Sequence, residues 1–164
     1  MGKLPEKVPT CAVSMLARPE WFADTSVISR ARLSEATGLA WLISSRFFAR
    51  QPIAAITLGH KISFRMLDNY DPHTAWGLAL LAHELKHVEQ YEQDGWFRFY
   101  AKYFWAYVLH GYGPLVPFEA EAVEFQRQVE EHLTAEFESN PGCQICQEMD
   151  EPHTPNVAFV KSWP

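Results

Sequence analysis

The sequence predicts an α+β fold, mostly α-helical, built as a single domain over residues 1–164. Three observations predict this class. Apolar residues recur at helical spacing over 71–95, 96–114 and 117–138. The short segment 54–65 alternates apolar and polar residues around a glycine, which is typical of a β-hairpin or small sheet. With 164 residues, 48% of them hydrophobic, the chain can bury one core without cross-links.

Loop and helix are expected before the hairpin. Residues 1–30 mix proline, charged and apolar residues, so we expect mostly loop with one short helix. Over 32–50 the apolar residues suit a helix, and Pro52 ends it because proline lacks the amide hydrogen that a helix uses. The hairpin segment, AAITLGHKISFR, is predicted to turn at Gly59.

The segment 71–95 is the clearest helix of the sequence. Asp71 can cap it, Pro72 suits the first helical position, and Gly95 can end it. Its apolar residues occupy two opposite sides, so we expect this helix to be buried.

Two further helices and a tail are expected after this buried helix. The segment 96–114 is rich in aromatic residues, which recur at helical spacing over 96–108. Pro117 opens the helix 117–138. Residues 139–164 are expected to form an extended C-terminal tail.

The buried helix carries the pattern His-Glu-x-x-His. Residues four apart lie one above the other on a helix, so His83 and His87 can direct their imidazoles at one zinc ion. Glu84 lies about 100° further round the helix, where it can accept a proton from a water that the ion holds. The alternative is a pair of hydrogen-bonded core histidines, which leaves Glu84 without a role.

A catalytic zinc site usually has a third protein ligand, and the next helix offers two candidates. Glu119 lies at the edge of the apolar stripe of that helix, whereas Glu121 lies on the flank that faces solvent. Glu119 is therefore the predicted ligand and Glu121 the reserve. Alternatively, both are ordinary first-turn glutamates, which the helix dipole favours.

Together, "HELKHVEQYE" and the later "PFEAEAVEF" resemble the small bacterial gluzincins, which are HExxH zinc metallopeptidase domains. They are similar to minimal HELxHVxQ domains found alone or beside secreted toxins and contractile injection systems. The resemblance covers about 54–128. It implies a zincin-like minimal domain with a core of about 32–138, in which an active-site helix precedes a glutamate-ligand helix.

The resemblance implies one Zn²⁺ bound by His83, His87 and Glu119, with Glu84 as the general base in peptide-bond hydrolysis. Larger gluzincins often carry an acidic residue four positions after the glutamate ligand. Here that position is Val123, so another group must support the ligands. Donors that could stabilise the oxyanion lie between the two ligand helices in sequence: Tyr103, Tyr107, His110 and Tyr112.

A second hypothesis is a metal-stabilised, catalytically silent binding module that recognises a partner protein through the aromatic helix 96–108. A fourth protein ligand would favour it, because closed zinc sites are structural. The candidates are His60, His110 and Glu121. A deformylase also uses HExxH, but the upstream cysteine motif of that family is absent.

Cysteine content and charge limit the remaining possibilities. Cys143 and Cys146 form one C-x-x-C, a weak signal for a second metal site or a redox pair, and free thiols are the default expectation. Cys11, His132 or His153 could complete such a site only if the fold brings them close.

The net charge of −6 argues against a nucleic-acid partner. No uncharged segment is long enough to span a bilayer, so we expect a cytoplasmic protein. The resemblance to metallopeptidases implies a peptide or protein substrate.

Overall fold

The computed structural model describes residues 6–37, 54–65, 71–95, 97–99, 101 and 117–139. Four helices and three strands are defined in these residues. In chain order they are α1 (Thr10–Leu16), α2 (Val27–Arg30), β1 (Arg32–Glu35), β2 (Ala55–Leu58), β3 (Lys61–Phe64), α3 (Ala75–Asp94) and α4 (Pro117–Ser139). Residues 97–99 and 101 are also helical. The predicted fold class, α+β and mostly α, is confirmed.

The sheet has three strands in the order β1-β3-β2. β2 and β3 pair antiparallel, with Thr57 opposite Ile62, so the predicted hairpin is confirmed. Gly59 has a φ of 63° at the turn, in the left-handed region that glycine adopts without strain. Ile62 and Phe64 are fully buried on β3, which anchors the sheet to the core.

The prediction of a helix over 32–50 is wrong at its start, because residues 32–35 form β1. β1 pairs parallel with β3, with Leu33 opposite Ile62. The Leu33 amide also donates to the Glu6 carbonyl at 2.7 Å. Hydrogen bonds to β3 and to Glu6, both distant in sequence, therefore outweigh the local helical pattern of residues 32–35. Such tertiary context often decides whether a segment forms a strand. Residues 38–50 of that predicted helix lie outside the described residues.

Helix α3 is the centre of the core. Leu78, Leu81, Leu85 and Val88 are fully buried along it, as the sequence predicted for a helix with two apolar sides. The first thirty residues contribute more than the one short helix expected, because α1 and α2 both supply core side chains. These are Cys11, Ala12, Met15, Leu16, Val27 and Ile28.

Helix α3 begins three residues later than a cap at Asp71 would require. Its N-cap is Thr74, whose Oγ1 accepts a hydrogen bond from the Gly77 amide at 3.0 Å. Asp71 instead caps the preceding turn, where its Oδ1 accepts from the His73 amide at 2.9 Å. The predicted end is correct, because Gly95 closes the helix with a φ of 74°.

Cys11 is disulfide-bonded. Its sulfur is therefore not available to the second metal site for which the sequence made Cys11 a conditional candidate. No helix in the described part of the chain has the length and apolar character needed to cross a membrane.

Gly77→Ala is expected to destabilise the protein. A Cβ at this position would lie 1.9 Å from the Asp71 carbonyl oxygen, so the turn before α3 would have to move. We expect a loss of roughly 1–3 kcal/mol in the free energy of unfolding, as for other overpacked sites. In an unobstructed helix the same change would stabilise by about 1 kcal/mol.

Urea denaturation measures this effect, with Ala120→Gly as the control. Ala120 is exposed on α4, so its replacement reports the ordinary difference between alanine and glycine in a helix. A Gly77→Ala variant that is more stable than the parent would show that the Asp71 turn does not restrict this position.

Candidate metal centre

Two packed helices supply the predicted metal ligands. His83 and His87 lie one turn apart on α3, and Glu119 lies in the first turn of α4. Helices α3 and α4 pack directly against each other, with Ala122, Val129 and Leu133 of α4 fully buried. The apolar stripe of α4 therefore orients its first turn so that Glu119 faces the histidine pair.

The three side chains form a compact triangle. His83 Nε2 lies 3.2 Å from His87 Nε2. Each oxygen of Glu119 faces one imidazole: Oε2 is 3.6 Å from His83 Nε2, and Oε1 is 3.5 Å from His87 Nε2. His83, His87 and Glu119 are thus close enough to bind one metal ion.

These distances fit a tetrahedral cation. With metal–ligand bonds of about 2.0–2.1 Å, neighbouring ligand atoms of a tetrahedron are about 3.3–3.4 Å apart. The 3.2 Å between the two histidine Nε2 atoms and the 3.5 Å from His87 Nε2 to Glu119 Oε1 agree with this spacing. With one oxygen of Glu119 counted, the three ligand atoms all lie within 4.8 Å of one another. Two imidazole nitrogens and a carboxylate are also a ligand set that zinc accepts. The residues present therefore fit a zinc ion.

The site is buried and electrostatically polarised. The exposed fractions of the His83, His87 and Glu119 side chains are 10%, 7% and 7%. Burial opposes the ionisation of Glu119, but the two adjacent histidines hold its pKa well below its usual range. Burial likewise disfavours the charged form of His87, yet Glu119 and the field of Glu84 raise the pKa of that imidazole. The acids thus create a negative environment that suits a cation.

Glu84 is held in place by the sheet. Its carboxylate is buried, and its Oε2 accepts a hydrogen bond from the Thr57 hydroxyl at 2.6 Å. Thr57 lies on β2, so the hairpin positions the acid that follows the first histidine. Thr57 was not predicted as a site residue, because no local pattern indicates which strand residue faces α3.

Glu121, the reserve ligand, lies outside the triangle. Its Oε1 is 3.2 Å from Lys86 Nζ, and its Oε2 accepts from Gln90 Nε2 at 2.9 Å. Gln90 Oε1 in turn lies 2.9 Å from His87 Nδ1, so the Gln90 amide supports the predicted ligand His87. Val123, where larger gluzincins often carry a supporting acid, is exposed. Gln90 was also missed, although its position one turn after His87 is a signal that could have indicated it.

The other candidate residues separate into two groups. His60 forms a hydrogen bond with Glu92 at 2.8 Å, and His132 forms one with Arg18 at 2.9 Å. Neither side chain faces the triangle of predicted metal ligands. The remaining candidates lie outside the described residues, as do most of the aromatic helix 96–108 and the tail. They are Tyr103, Tyr107, His110, Tyr112, Cys143, Cys146 and His153.

Comparison with known proteins gives one match. Residues 44–95 match the family model of the eCIS core domain, where eCIS denotes an extracellular contractile injection system. The matched segment contains β2, β3 and all of α3, and it ends before α4 and Glu119. No curated protein and no solved structure matches the chain. The match links this part of the chain to contractile injection systems, as the resemblance implied, and its description names no enzymatic activity.

Glu119→Gln is expected to weaken zinc binding by more than about 100-fold, because losing a direct ligand costs more than the 10–100-fold typical of supporting residues. Glu121→Gln is the matched control. It removes the same charge two residues away, and its amide oxygen can still accept from Gln90, so we expect less than about a tenfold change.

Competition with a chromogenic chelator measures the zinc dissociation constant of each variant. Equal affinities for the parent and Glu119→Gln would remove Glu119 from the site. A loss confined to Glu121→Gln would make the reserve residue the ligand instead.

Proposed function

We propose that the chain is a zinc-dependent metallopeptidase of the gluzincin type. In this proposal His83, His87 and Glu119 hold one Zn²⁺, and Glu84 is the general base. The observation that carries it is the approach of the Glu119 carboxylate to within 3.6 Å of both histidine Nε2 atoms, which supports a three-ligand site at the HExxH helix. The neighbouring buried acid supplies the base that hydrolysis needs.

Each protein group has a defined task in this reaction. A bound zinc ion supplies Lewis acidity, which polarises the scissile carbonyl and makes water more acidic. Glu84 accepts the proton of the attacking water and passes it to the leaving amine. The hydrogen bond from Thr57 to Oε2 leaves Oε1 as the oxygen that accepts this proton. The same bond restrains the Glu84 carboxylate, which reduces the cost of positioning it.

The proposed substrate is an extended peptide. Within the described residues, β2 is the edge strand next to α3, and it carries the Thr57 that bonds Glu84. A peptide that adds to this edge by main-chain hydrogen bonds would pass Glu84. The Leu58 side chain at the end of β2 is exposed and could contact an apolar residue of such a peptide.

Glu84→Gln should leave zinc affinity within about threefold of the parent and reduce peptide hydrolysis by at least about 100-fold, because the amide cannot act as a base. Glu124→Gln is the control, since it removes an exposed acid on α4 that pairs with Arg127 at 2.6 Å. Turnover of a fluorogenic peptide library by the zinc-loaded full chain is the measurement. Undiminished turnover by Glu84→Gln would exclude it as the general base.

The family match favours a second candidate function, a catalytically silent module associated with a contractile injection system. In that case the metal would stabilise the packing of α3 on α4 and the chain would act by binding a partner. Metal sites contribute folding free energy directly, so catalysis is not needed to explain one.

Co-sedimentation with assembled injection particles distinguishes the two functions. The silent module predicts that Glu84→Gln binds particles as well as the parent does, whereas His83→Ala binds less because metal and stability are lost. Peptide turnover that depends on Glu84, without particle binding, would contradict the second function.

A further inference from the structure

Gln90 connects the two helices at the metal site. It lies on α3 one turn after His87 and is 4% exposed. Its Oε1 is 2.9 Å from His87 Nδ1. Its Nε2 donates to the Phe118 carbonyl at 3.2 Å and to Glu121 Oε2 at 2.9 Å.

These partners determine the orientation of the Gln90 amide. The Phe118 carbonyl and the Glu121 carboxylate accept hydrogen bonds only, so the amide NH₂ must face them. Oε1 must then face His87, whose Nδ1 has to carry the hydrogen. In the neutral ring, which is the form that binds a metal, the lone pair of His87 is consequently on Nε2, the nitrogen nearest His83 and Glu119.

The Gln90 amide also contacts the helix turn that carries Glu119, the third ligand. Its two acceptors, Phe118 and Glu121, flank Glu119 in the first turn of α4. Movement of this turn away from α3 would break both hydrogen bonds. Gln90 thus fixes the tautomer of one ligand and the placement of the segment that carries another.

His83 has no equivalent support in the described part of the chain. Its Nδ1 is buried and makes no hydrogen bond with the described residues. The ring of His83 instead packs edge-on against His87, with centroids 4.8 Å apart and an interplanar angle of 86°. The orientation of His83 therefore also depends on a correctly placed His87.

We propose that Gln90 is the positioning residue of this site, which selects the metal-binding tautomer of His87 and couples it to the helix turn that supplies Glu119. The inference rests on the proposed metal site and does not require peptidase activity. It predicts a role for Glu121 as well, as the group that orients Gln90.

The test compares zinc dissociation constants of full-length variants. Gln90→Leu keeps the size of the side chain but removes all three hydrogen bonds, and we expect zinc affinity to fall 10–100-fold. The double variant Gln90→Glu with Glu121→Gln exchanges acid and amide, which preserves the acceptor for His87 and the link between positions 90 and 121. We expect it to bind zinc within about tenfold of the parent.

Glu89→Leu is the matched control for a purely structural role. Glu89 is the adjacent buried side chain on α3, and it accepts from the Ala23 amide at 3.0 Å and pairs with Lys86 at 2.8 Å. Its loss should lower the thermal midpoint without changing zinc affinity by more than about threefold. An equal loss of zinc affinity in Glu89→Leu and Gln90→Leu would reduce Gln90 to a packing residue and overturn the inference.

Nitrogen NMR of the metal-free parent chain tests the tautomer independently of any variant. The inference predicts that the neutral His87 ring carries its hydrogen on Nδ1. A neutral ring protonated on Nε2, or unchanged zinc affinity in Gln90→Leu, would overturn it. Zinc binding without peptide hydrolysis would contradict the proposed peptidase and leave the role of Gln90 intact.

Discussion

The packing of the first turn of α4 against α3 is the constraint on which the site depends. The HExxH pattern alone supplies two imidazoles, which cannot complete a catalytic zinc centre. The buried stripe of α4 brings the Glu119 carboxylate within 3.6 Å of both histidines. The lowered pKa of Glu119 keeps its carboxylate charged despite burial. The packing of α4 on α3 therefore also places a negative charge where a cation can bind.

Helical periodicity was sufficient to predict much of this arrangement. The four-residue spacing of His83 and His87 places both rings on one side of α3, and the apolar stripe of α4 favoured Glu119 over Glu121. Both inferences are local, since they need only the 3.6-residue repeat of a helix. The β2–β3 hairpin was predictable for the same reason, because alternation around Gly59 is a local signal.

Features that depend on distant partners were not predictable. β1 is stabilised by hydrogen bonds to β3 and to the Glu6 carbonyl. The local sequence of β1 does not show these distant partners, and its apolar pattern alone predicted a helix. Thr57 reaches Glu84 only because the sheet packs on α3. The contact of Gln90 with His87 has a local signal in the sequence, but the link from Gln90 to α4 depends on Phe118 and Glu121, which only the fold brings beside it. The site thus combines a motif encoded within one helix with supports contributed by two other segments, β2 and α4.

Zinc K-edge absorption spectroscopy of the zinc-loaded full chain tests the central claim most directly, because it reports the ligand atoms of the ion. The account predicts two imidazole nitrogens and a carboxylate oxygen at about 2.0–2.1 Å, with no sulfur. A shell of sulfur ligands at about 2.3 Å would place the ion on cysteines and contradict a centre built from α3 and α4.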